Sequence, residues 1–130
     1  MLSLVTGLLF YFSNPPFKMF FFIFYAFIPF FYYINNQIQK RKILLFSLII
    51  SIINSSFILT AQIELKYKLV GFSSFVLIIT ILFYFFGIFV KKIENYNYKT
   101  YKKIFLISSF WLFEEYFASK IFMDLLRILV

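Results

Sequence analysis

The chain has 130 residues, of which 63% are hydrophobic, 26% aromatic and only 14% charged, with a formal net charge of +8. Soluble domains carry about a quarter charged residues, so the composition excludes a water-soluble globule, and its aromatic richness excludes intrinsic disorder. Cys and His are both absent, which excludes disulfides, Cys or His metal sites, His-ligated haem and the Ser-His and Cys-His nucleophile pairs. What remains is an all-α polytopic membrane protein, a single membrane domain over 1–130, with no cofactor and no metal expected.

The bias within the residue set points to the coding DNA. Phe, Ile, Lys, Tyr and Asn fill 70 positions, while Ala, Gly and Pro fill 9. The first group uses A/T-rich codons and the second G/C-rich codons. An A/T-rich genome follows, either a mitochondrial one, which is the preferred reading, or that of an A/T-rich bacterium or endosymbiont.

In chain order, residues 2–12 are apolar and uncharged but fall short of the ~20 residues that span a bilayer; they predict a short helix. No basic leader, cleavage site or Arg-rich import sequence is visible. Ser13-Asn14-Pro15-Pro16 breaks the chain. The first span is predicted at 17–34, with Lys18 at its edge and a kink at Pro29. Tyr32-Tyr33, then Asn35-Asn36-Gln37, then Lys40-Arg41-Lys42 give the aromatic, polar and basic order of a membrane exit. Spans at 43–63 and 69–90 follow, joined by the short loop Glu64–Lys68. A basic, Tyr- and Asn-rich loop is expected over 91–103. The last span, 104–126, carries Glu114, Glu115, Lys120 and Asp124, with Arg127 just beyond.

Loop charges set the topology. Lys40, Arg41, Lys42, Lys91, Lys92, Lys99, Lys102 and Lys103 share one side, against Lys18, Lys66 and Lys68 on the other. The positive-inside rule places 35–42 and 91–103 in the matrix or cytoplasm. This anchoring accounts for the net charge, and no pattern suggests a nucleic-acid partner.

Three constellations carry candidate roles. Ser47, Ser51 and Ser55 recur every four residues, a small-residue row for helix packing, the preferred reading; a hydrated path lined by Ser47, Ser51 and Asn54 is the alternative. Glu114 and Glu115 are carboxylates at membrane depth, a functional signal by default. They read either as part of a proton path or as bilayer-edge residues paired with a neighbour. Lys120, Asp124 and Arg127 fall on one helix face at i,i+4 and i,i+3 spacing, predicting buried ion pairs. With Glu114 they are expected to face protein, which argues for partner membrane subunits in a large hetero-oligomeric assembly embedded in lipid. Trp111, Tyr96, Tyr98 and Tyr101 read as interfacial anchors and packing residues.

Leu4-Val5-Thr6-Gly7-Leu8-Leu9, the Asn14-Pro15-Pro16 step and the following aromatic-aliphatic helix resemble the start of NADH dehydrogenase subunit six. Ser47-Leu48-Ile49-Ile50-Ser51 departs from that family's Tyr- and Gly-containing third-helix motif. Arg41-Lys42-Ile43-Leu44-Leu45 with Asn54 is similar to subunit four-L of the same complex, whose membrane glutamate is missing here. The resemblance implies a non-catalytic subunit in the proton-pumping arm of respiratory complex I, in the mitochondrial inner membrane and encoded in the organelle. A subunit of cytochrome oxidase or ATP synthase, or a free-standing small transporter, stands as the alternative.

Overall fold

The computed structural model describes residues 1–13, 22–36, 39–60, 62 and 64–129. They form an all-α, membrane-associated fold: α1 Leu2–Ser13, α2 Phe22–Asn36, α3 Lys40–Ser55 continued by a 3-10 segment Ser56–Thr60, α4 Leu65–Asn95 and α5 Thr100–Leu129. Two helices, Lys40–Thr60 and Leu65–Asn95, are long and apolar enough to cross a membrane, and α1 is a shorter apolar helix. The break at Asn14-Pro15-Pro16, Lys18 and the start of the first predicted span at 17 lie outside the described residues.

The basic segment expected as a loop over 91–103 is mostly helical. α4 runs on to Asn95 and α5 begins at Thr100. Once outside the lipid, Lys and Glu are good helix formers, and Lys92 in the last turn complements the negative end of the helix dipole. Lys103 closes the remaining short turn with a 3.6 Å ion pair to Glu94 and a hydrogen bond to the Glu94 carbonyl. Lys102 lies 4.4 Å above the Tyr98 ring beside it.

α3 packs against α4 and α1, α1 also against α2, and α5 mainly against α4. The closest approaches use glycine. A Cβ on Gly7 would sit 2.9 Å from Ile53 Cδ1, and one on Gly87 would sit 2.9 Å from Ile34 Cδ1 and 3.0 Å from Ile43 Cγ2. Lipid tails are as apolar as the helices, so contact of this kind, more than exclusion from water, holds a membrane bundle together. Ser47, Ser51 and Ser55 are fully buried on α3. The Ser47 hydroxyl donates to the Ile43 carbonyl at 2.9 Å and that of Ser51 to the Ser47 carbonyl at 2.6 Å, which satisfies both within their own helix.

An aromatic cluster fills the centre. Phe30 stacks on Phe86 with centroids 5.6 Å apart, and Phe10 meets Phe83 edge-on at 5.0 Å. Trp111 from α5 meets Phe27 and Phe86 edge-on, each at 4.9 Å. Trp111 is therefore a packing residue of the bundle, one of the two roles expected of it. Its indole completes edge-to-face pairs worth about 0.5–1.5 kcal/mol each beyond their area.

Candidate functional site

One face of this cluster borders a cavity of about 510 Å³, within the range of ~300–1,000 Å³ typical of small-molecule sites. It lies among α1, the end of α3, α4 and α5. Its walls are apolar, with Phe10, Ile79, Leu82, Phe83 and Trp111 the principal residues. A polar group interrupts them: Ser13, Asn54, Glu114, Glu115 and Ser119. The helical periodicity of α5 puts Trp111, Glu114 and Ala118 on one stripe, and all three line the cavity.

Glu114 is the site's unusual residue. It lies fourteen residues after Thr100 in α5, about 21 Å along the helix axis, and is 7% exposed. Its Oε2 is buried and has no hydrogen-bond partner. Among the described residues no basic side chain lines the cavity, and neither ion pair involves Glu114. A carboxyl oxygen buried without a donor is destabilising, and such a group in a native fold calls for an explanation. Glu115, its neighbour, is exposed. Ser13 and Ser119 donate to the Phe10 and Tyr116 carbonyls, which leaves their oxygens available as acceptors. Among the described residues, Ser55 Oγ and Lys91 Nζ are also buried without partners, and neither residue lines the cavity.

The structure thus brings together Glu114, Glu115 and Asn54 from the sequence-derived candidates and leaves Ser47 and Ser51 outside the cavity. Within the single chain Lys120, Asp124 and Arg127 are exposed; the burial expected of them is against partner subunits. Asp124 and Arg127 approach at 4.0 Å. Phe10, Leu82, Phe83 and Trp111 were not foreseen as site residues. Each is one of many apolar residues, and their convergence depends on how helices far apart in sequence pack.

The family model described as the apolipoprotein N-acyltransferase N-terminal domain matches residues 6–126. No curated protein and no solved structure matches the chain. The match covers nearly the whole sequence, so the chain belongs to this family. Assignment to complex I, as subunit six or four-L, is corrected by this match. So are the non-catalytic respiratory role, the oxidase, ATP synthase and transporter alternatives, and the mitochondrial inner-membrane location. The features behind the resemblance, a short apolar helix and an Asn-Pro step before an aromatic span, arise in many apolar chains. The family that matches is one of lipoprotein-modifying membrane enzymes.

Proposed function

On membership of that family, we propose that the chain is the membrane-embedded part of an apolipoprotein N-acylation system and that its cavity houses the hydrocarbon chain of an acyl-bearing lipid. The observation that carries this reading is the apolar cavity of about 510 Å³ walled by Phe10, Leu82, Phe83 and Trp111. Joining an acyl group to an amine calls for an activated acyl carbon and a base for the amine proton. The chain has neither Cys nor His, so a thiol nucleophile or an imidazole base would come from a partner segment or chain.

In this reading the domain crosses the bilayer four times, near 17–34, 43–63, 69–90 and 104–126, with α1 as a short fifth element. The eight basic residues of 35–42 and 91–103 lie on the cytoplasmic side. The length and apolarity of α3 with its 3-10 extension and of α4 support two of these spans.

The test fills the cavity. Leu82→Trp adds bulk where α4 faces it. In vesicles containing a phospholipid with a diazirine-bearing acyl chain, the native chain should crosslink within 75–83 and 111–119. Leu82→Trp should reduce that labelling several-fold, roughly the effect of overpacking a filled site by about 1–3 kcal/mol. Lipoprotein N-acylation, read by mass spectrometry in cells that depend on the chain, should fall with it. Unchanged labelling would remove the acyl-chain assignment.

A further inference from the structure

The cavity has one feature that a hydrocarbon chain leaves unused. Glu114 is more than nine-tenths buried, lines the cavity, and presents an oxygen with no donor. Among the described residues, neither Lys nor Arg lines the cavity with it. Asn54, Glu115 and Ser119 lie around the same space; the Glu115 carboxyl and the Ser119 hydroxyl add acceptor atoms, and the Asn54 amide offers both donors and an acceptor. The polar part of the site is therefore rich in acceptors and poor in cations. A group that fits it brings several donors and a positive charge. A primary ammonium has three N–H donors and no acceptor; an alcohol has one donor and no charge.

We propose that Glu114 is the recognition residue of a binding site for a primary amine attached to an alkyl chain. The ammonium donates to Glu114 Oε2, and the chain lies against Phe10, Leu82, Phe83 and Trp111. The inference rests on the N-acylation reading, in which an amine receives the acyl group, and adds the residue that holds the amine beside the hydrocarbon. Glu114 is a positioning residue here, and no bond is made or broken at it.

The test uses the full chain in phosphatidylcholine nanodiscs and three photoreactive probes with the same diazirine-bearing C12 chain. These are the primary amine, its N,N,N-trimethylammonium analogue and the alcohol. Amine and analogue carry the same charge and differ in N–H donors. The primary amine should label residues 75–83 and 111–119 about ten-fold more than the trimethyl analogue, the value of one charge-assisted hydrogen bond. Glu114→Gln should reduce amine labelling to the analogue's level and leave alcohol labelling in place, which also reports an intact cavity. Equal labelling of the native chain by amine and analogue overturns the proposal while leaving the cavity as a hydrocarbon site. Labelling by none of the probes within those segments overturns both this proposal and the acyl-chain reading. If Glu114→Gln disrupts the fold and loses alcohol labelling too, the comparison of amine with analogue on the native chain decides alone.

Discussion

Gly87 shows how little slack the bundle has at single positions. Its hydrogen faces Ile34 and Ile43 where a methyl would come within 3.0 Å of both. Gly87→Val should cost about 1–3 kcal/mol by overpacking, read as a lower unfolding midpoint in detergent. Gly71 is the control, because a Cβ there would find its nearest neighbour, Ile58 Cγ2, at 3.8 Å. Gly71→Ala should be neutral or stabilising by about 0.5–1 kcal/mol, as helix propensity gives. Equal loss at both positions would show that glycine flexibility, and not close approach, is what the bundle uses. Phe86 belongs to the same argument. It stacks on Phe30 and meets Trp111 edge-on, and in lipid its truncation loses packing without the full transfer term. Phe86→Ala should therefore cost about 1–3 kcal/mol, less than the same change in a water-soluble core.

At the scale of elements, α5 changes the meaning of its charges. As one unbroken helix from Thr100 to Leu129, it rises about 1.5 Å per residue. If lipid begins near Ile104, a ~30 Å hydrocarbon layer ends near Asp124. Asp124 and Arg127 then reach the far headgroups, and Lys120 can extend toward them. Glu114 remains as the deep carboxyl group. A photocrosslinker at position 120 should form adducts with protein where a partner covers this exposed face and with phospholipid headgroups where none does. Adducts with mid-chain lipid carbons would contradict this placement.

The same elements show what could be read from sequence. α1, α3 and α4 were legible because uncharged apolar runs have one stable form in lipid, a helix with its backbone bonded internally. Ends were less legible, since helices continue past the membrane wherever Lys and Glu allow, as α4 does through Lys91, Lys92 and Glu94. Glu114 stood out because a carboxylate among apolar residues is rare. Trp111 did not, because a Trp near a polar segment reads equally as an interface anchor, and its position in the core depends on rings from α1, α2 and α4. The family was misread because two proline-flanked apolar helices carry little identity, whereas the match that settles it extends over residues 6–126.

For the molecule as a whole, the proposed four-span topology predicts sidedness. Single cysteines introduced at positions 38 and 96 of this cysteine-free chain should react with the same membrane-impermeant maleimide from the same side of sealed vesicles. Reaction from opposite sides would reject an even number of crossings between them. In that proposed topology the cavity, among α1, the end of α3, α4 and α5, lies within the bilayer.

That location has a consequence for selectivity. A protein dissolved in water tells its ligand from its solvent by apolarity, but a cavity inside a bilayer has hydrocarbon as its solvent. Leucine, phenylalanine and lipid tails are near equivalents there, so walls such as Leu82 and Phe83 govern how much material fits and say little about which molecule it is. Discrimination then falls to whatever is foreign to hydrocarbon, and in this cavity that is a small polar group centred on one carboxylate. Substitutions along the walls should shift occupancy for every chain alike, while a substitution at Glu114 should change the order in which competing molecules are preferred.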